Sequence, residues 1–154
     1  LNNRALDELY FFLYNKKMKI GFTCSTFDLF HAGHILMLEE AKKKCEFLIV
    51  GLQTDPTTDR PNTKNKPIQG VFERWAQLKA CKFVDQIIPY STEKELRDIL
   101  LSFQIDIRIL GEEYKGKEFT GHDIPMEFYF NQRRHSFSTT ELRQRVIDAE
   151  ANKK

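Results

Sequence analysis

The chain has 154 residues, 41% of them apolar and 12% aromatic, and its 24 basic and 22 acidic side chains give a formal charge of +2. That length and composition suit one compact domain and exclude a disordered or fibrous class. The near-balance of charge argues against nucleic acid as the main partner, and no apolar run approaches the ~20 residues that span a bilayer, so no membrane partner is expected.

Residues 1–17 read as a short amphipathic helical extension, and residues 18–150 as the domain proper. Met18 to Cys24 has a buried-strand pattern, broken by the polar stretch Ser25 to Asp28. From Ala32 to Lys44 the apolar positions Ile35, Leu38, Ala41 and Cys45 recur at helical spacing. Phe47 to Leu52 is continuously apolar, as a strand covered on both faces should be. Residues 53–68 lose all periodicity and read as loop. A helix is predicted from Val71 to Cys81, then a short strand, Gln86 to Ile88, stopped by Pro89. Thr92 and Glu95 form a capping-box pattern for a helix running to about Phe103. A strand from Asp106 to Leu110 ends at Gly111, and residues 111–125 form a charged, glycine-bearing loop. Met126 to Phe130 reads as the last strand, and Ser138-Thr-Thr-Glu141 is a capping box opening a helix to about Glu150. This alternation predicts an α/β fold, Rossmann-like, with a parallel sheet between two helical layers. Ligands of such sheets sit beyond the carboxyl ends of the strands.

The segment Ser25-Thr-Phe-Asp-Leu-Phe-His-Ala-Gly-His34 lies where the first strand hands over to the first helix. A helix start offers unpaired N–H groups to phosphate, and His31 and His34 share one helical face. Gly33 between them is read as the position that lets a ligand approach the backbone. The three cysteines, Cys24, Cys45 and Cys81, form no C-x-x-C pair, so neither a disulfide framework nor a zinc knuckle is expected, and a reducing cytoplasm is the simplest setting. A zinc site on the two histidines would need two further ligands of suitable spacing, which the sequence does not offer, so no metal-ligating protein site is expected.

Thr26-Phe-Asp-Leu-Phe-His-Ala-Gly-His34 resembles the signature of the H-x-G-H nucleotidyltransferases, which include cytidylyltransferases and several adenylyltransferases. The resemblance spans about residues 18–147 and is strongest to the glycerol-3-phosphate cytidylyltransferases. Thr54-Asp55, Lys66, Glu73-Arg74, Val84-Asp-Gln-Ile-Ile-Pro89 and Arg133-Arg-His-Ser-Phe-Ser-Thr-Thr140 are similar to further family motifs in the same order. Ser25 and Ser136 stand where those relatives carry glycine, and Gly111-Glu-Glu-Tyr where they carry G-D-D-W.

The resemblance implies transfer of CMP from CTP to a small phosphorylated alcohol, glycerol 3-phosphate first, with Mg²⁺ travelling with the nucleotide. Two alternatives stay open: an adenylyltransferase using ATP, and a nucleotide-binding regulatory module without turnover. It further implies that His31, His34, Lys66 and Arg133 are catalytic. Thr26, Phe27, Asp28, Gly33, Arg74, Gly111, Ser138, Thr139 and Thr140 would bind nucleotide. Asp28 is read as a histidine orienter or a helix N-cap, and Arg74 as a phosphate contact or a helix-face ion pair. His122 and His135 lie in loops that could reach the acceptor phosphate, and Trp75 reads as core. A homodimer is the assembly the resemblance implies.

Overall fold

The computed structural model describes residues 18–153, so the helical extension expected over residues 1–17 lies outside the described residues. The described residues form five strands and four α-helices, with a 3-10 turn, Glu112–Tyr114, between the last two strands: β1 Ile20–Ser25, α1 Ala32–Lys42, β2 Phe47–Gln53, α2 Val71–Lys79, β3 Gln86–Tyr90, α3 Glu93–Ser102, β4 Ile107–Gly111, β5 Glu127–Asn131 and α4 Thr139–Ala151. The sheet order is β3-β2-β1-β4-β5, and every pairing is parallel. The order reverses between β1 and β4, which makes their carboxyl ends the switch point of a doubly wound α/β fold.

The period of two along the strands divides the core in half. Leu48, Val50 and Leu52 of β2 and Ile107 and Ile109 of β4 point to one face, where they pack with Leu38 and Ala41 of α1 and Leu78 of α2. Phe22 of β1, Ile49 of β2 and Tyr90 of β3 point to the other face, against Leu96 and Leu100 of α3. Trp75 packs at the margin of the first cluster, in keeping with its reading as core. Two capping residues make only the N-cap half of the capping boxes expected of them, and Glu95 accepts the Ser91 amide at 2.6 Å instead of the Thr92 amide. The Thr92 hydroxyl accepts the Glu95 amide at 3.2 Å, and the Ser138 hydroxyl accepts the Glu141 amide at 3.1 Å.

β3 runs through Pro89 instead of stopping before it. Pro89 lies in register with Leu52, and β3 is an edge strand. A proline is tolerated there because its nitrogen can face away from the ladder. Between β1 and α1 the backbone makes an uncommon turn, with Phe27 at φ 50° and Leu29 at φ 48°. Two non-glycine residues in the left-handed region are costly. The surroundings hold them there: Phe27 is fully buried in the core, and Leu29 N–H donates to Gln69 Oε1 at 2.8 Å.

Candidate active site

Two cavities open beyond the carboxyl ends of the strands and share Met37, Gly111, Glu113 and Asn131. The first, of about 770 Å³, gathers His31, Gly33, His34, Gly111, Arg133, His135, Ser138 and Thr139. The second, of about 900 Å³, lies on the α3 side of the sheet and reaches Thr26, Gln53, Arg60, Tyr90, Arg108 and the 111–125 segment.

The two histidines build the start of α1 from their own side chains. His31 is the N-cap in extended geometry, and its Nδ1 accepts the Gly33 amide at 3.0 Å. His34 Nδ1 accepts the His31 amide at 3.3 Å, closing a capping box with histidine in both roles. A neutral imidazole that accepts at Nδ1 carries its proton on Nε2. His31 therefore turns an Nε2–H donor toward Thr139 Oγ1, 3.3 Å away, and Thr139 in turn donates to the Asp28 carbonyl at 3.3 Å. His34 presents a second Nε2–H, which no described residue accepts.

The His34 ring is packed on both sides. It stacks on His31 with centroids 4.0 Å apart and on Phe30 at 5.6 Å, and Phe27 tilts against it at 5.3 Å. Burial, followed by the neighbouring His31, pushes its pKa down to about 3. His31 is also held below the ordinary histidine range, by burial first and then by His135 and Arg133. Both rings are thus neutral hydrogen-bond donors near pH 7. Gly33 serves these rings. A Cβ on it would lie 2.9 Å from His31 Cε1 and 3.1 Å from His135 Cε1, so glycine makes room for the imidazoles.

Three residues expected at the nucleotide hold the site's frame instead. Phe27 is a core residue. Asp28 neither caps a helix nor orients a histidine. Its carboxylate accepts the Ile68 and Gln69 amides at 3.0 and 2.9 Å and pairs with Arg143 of α4 at 3.1 Å. Burial raises its pKa, but those amides and Arg143 outweigh the burial and leave it below the usual carboxylate range. Arg74 is 1% exposed and makes no ion pair among the described residues. Its guanidinium donates to the carbonyls of Gln69, Thr26, Gln53 and Thr54 at 3.1, 2.8, 2.7 and 2.5 Å. It thereby clips the ends of β1 and β2 to the entry of α2.

Lys66 is exposed and lines neither cavity, whereas Lys64, two residues earlier, lines the α3-side cavity. Thr140 is likewise exposed and outside both. Arg133 lines the histidine cavity while its Nη2 donates to the Phe137 carbonyl at 2.8 Å. His122 lines the α3-side cavity and His135 the histidine cavity. Gln53, Arg108 and Asn131 are buried polar residues at the cavities that motif reading passed over. Arg108 carried a visible signal: a lone charge inside the apolar strand Ile107-Arg-Ile-Leu110.

A family model described as cytidylyltransferase-like matches residues 22–145. The chain is 34% identical over 146 residues to the bifunctional protein HldE of Campylobacter jejuni subsp. doylei, covering 94% of this chain and 31% of that protein. It is 32% identical over 111 residues to HldE of a Caulobacter species, covering 72% of this chain and 22% of that one. The chain thus spans about a third or less of the length of these relatives. Among solved structures, the lipopolysaccharide core biosynthesis protein of Thermoplasma volcanium is 25% identical, with a TM-score of 0.54, over 86% of this chain and 89% of that one. A bifunctional NMN adenylyltransferase/ADP ribose pyrophosphatase of Francisella tularensis, solved with AMP and a manganese ion, shares the fold at 16% identity and a TM-score of 0.58, over 85% of this chain and 42% of that one. The doubly wound sheet, the paired histidines at its switch point and the match across most of the domain lead to one assignment: the chain belongs to the cytidylyltransferase-like family of the nucleotidyltransferase superfamily.

Proposed function

We propose that this chain transfers a nucleoside monophosphate from a nucleoside triphosphate to a phosphorylated small molecule and releases pyrophosphate. The observation that carries this reading is the pair of neutral, stacked histidines facing one cavity with Gly111, Arg133 and the start of α4. An oxygen of the acceptor phosphate attacks the α-phosphorus and forms the new P–O bond. The bond from that phosphorus to the oxygen bridging the β-phosphate breaks, and its electron pair leaves with pyrophosphate. A phosphate monoester has a second pKa of about 6 and is largely dianionic at neutral pH, so the attack needs no general base. The protein's task is to stabilise charge on the phosphoryl oxygens.

His34 Nε2–H is the donor placed for that task, and His31 Nε2–H is a second, shared with Thr139. Arg133 supplies positive charge to the leaving phosphates from the same cavity. Lys66 would join only by movement of its segment, and Lys64 is the loop cation already at a cavity wall. Among the described residues no three His, Cys, Asp or Glu side chains converge on a metal. Mg²⁺ would travel with the triphosphate and neutralise its charge, and Glu113, the carboxylate that lines both cavities, would be the residue to help hold it.

The relatives move the nucleotide to be tested first from CTP to ATP. The relatives named above are HldE proteins, and one fold neighbour was solved with AMP. A homodimer and a cytoplasmic setting belong to the same proposal, and a monomer mass at micromolar concentration would remove the dimer. The test of function is acceptor-dependent pyrophosphate release with ATP and with CTP. Release with ATP supports the adenylyl branch, and release with CTP alone restores the cytidylyl one. Tight nucleotide binding with no release from any acceptor would make the chain a regulatory module.

A further inference from the structure

His135 is the one imidazole of the histidine cavity without a role in the proposed transfer, and it stands over the start of α1. A Cβ on Gly33 would meet His135 Cε1 at 3.1 Å and His31 Cε1 at 2.9 Å, so the two rings meet across that glycine. The segment that carries His135 is tied to α1 and closed on itself. The Gln132 amide donates to Glu40 Oε1 at 3.1 Å, and Arg133 Nη2 donates to the Phe137 carbonyl at 2.8 Å. The His135 ring stacks on Phe137 with centroids 5.2 Å apart. Its own loop thus holds the ring in the cavity wall, two residues after Arg133.

The two nitrogens of that ring differ. Nδ1 is buried and bonded to nothing, whereas Nε2 bonds to no described residue and is not buried. A buried N–H without an acceptor is rarer and costlier than a buried acceptor without a donor. The neutral ring therefore keeps Nδ1 bare and carries its proton on Nε2, and an imidazolium carries one there as well. Either way an open Nε2–H stands at the cavity wall. Glu39, Glu40, Glu112 and Glu113 line the same cavity, and none accepts from it. Glu40 is engaged by Tyr129 and the Gln132 amide, and Glu39 pairs with Lys43. The other two imidazoles have less to give: both Nδ1 atoms cap α1, and His31 Nε2–H is shared with Thr139.

We infer that His135 donates from Nε2 to the β- or γ-phosphate of the bound nucleoside triphosphate, the group that leaves as pyrophosphate, and not to the acceptor phosphate. An open donor with Arg133 and Arg134 just before it on the same wall calls for an anion, and bonds to phosphate oxygens are the strong ones. His34 and His31 supply the donors at the α-phosphorus from the start of α1. The donor across Gly33, on the arginine side, meets the phosphates beyond it. This inference rests on the transferase reading, which puts the α-phosphorus at His34.

The experiment is calorimetric binding of ATP, CTP and their monophosphates to the full chain with Mg²⁺, which needs no turnover. His135→Phe keeps a ring to stack on Phe137 and deletes the donor. It should weaken the preferred triphosphate about tenfold or more and its monophosphate less than about threefold. His135→Gln puts an amide N–H near the place of Nε2 and should stay within about threefold of wild type for the triphosphate. Wild-type triphosphate affinity in His135→Phe, equal losses for triphosphate and monophosphate, or a His135→Gln protein as weak as His135→Phe would each overturn the inference. Nitrogen–proton NMR of the wild-type imidazoles serves if the variants do not fold. His135 should carry a hydrogen on Nε2, and its resonance should shift with the triphosphate far more than with the monophosphate. A hydrogen on Nδ1 alone, or no shift at saturating triphosphate, would overturn it too. The expected binding pattern without pyrophosphate release from any acceptor would overturn the transferase reading and leave the His135 contact standing.

Discussion

His34 is held by a backbone amide, by two stacked rings and by the buried face of Phe27, so its one free nitrogen has a fixed direction. Removing a preorganised donor of this kind lowers kcat by roughly 10²–10³-fold. His34→Ala should do so in steady-state pyrophosphate release while nucleotide binding changes much less. Gly33→Ala tests the packing behind the donor. Its new methyl would displace His31 or His135, and a loss of about 10²-fold in kcat/KM is expected, whereas near-normal activity would show that the rings need not hold their places. The depressed pKa of His34 also carries a stability consequence. The unfolded chain takes up this proton as pH falls through about 6.5, and the folded chain only near 3. The neutral ring's contribution is therefore complete above pH 6.5 and drains away as pH falls toward 3. Urea midpoints should fall across that window, and His34→Gln should flatten the fall. Equal slopes for the two proteins would contradict it.

At the scale of elements, the ends of β1 and β2, the start of α2 and the start of α4 are tied by two buried charged side chains. Arg74 satisfies four carbonyls, and Asp28 satisfies two amides and Arg143. Arg74→Met would strand those carbonyls, and a loss of about 3 kcal/mol or more in urea unfolding is expected. Arg74→Lys should not restore it, because one ammonium cannot reach four acceptors spread over three segments. A stable, fully active Arg74→Met protein would mean that the clip is dispensable. α4 is the weaker partner in this frame. It has no buried residue, and Val146 and Ile147 are more than half exposed. Its hold comes from Thr139 and Arg143 near its start. Amide exchange should accordingly be fast from Val146 onward and slow in β1 and β2.

For the whole molecule, the alternation of strand and helix patterns carried the architecture, because apolar continuity in Phe47 to Leu52 and helical spacing in Ala32 to Lys44 are local properties of the chain. The histidine site was legible for the same reason: His31, Gly33 and His34 are near neighbours in sequence, and their place at a strand-to-helix handover defines what they face. Asp28 and Arg74 were misread because their partners lie 40 to 115 and up to 48 positions away. A charge in a motif looks the same whether it meets a phosphate or a backbone carbonyl. Pro89 was read by its missing N–H, which matters in a central strand but not at the sheet edge where β3 lies. The two-cavity arrangement was invisible in sequence because it depends on the reversal of strand order between β1 and β4. The central claim, transfer at the α-phosphorus, is tested most directly by phosphorus NMR of one reaction mixture containing ATP or CTP, Mg²⁺ and a sugar or polyol phosphate. The expected result is inorganic pyrophosphate together with a new pair of coupled diphosphate-diester resonances in equal amount, both lost in His34→Ala. Nucleoside diphosphate with inorganic phosphate, or a triphosphate that binds and is never consumed, would contradict it.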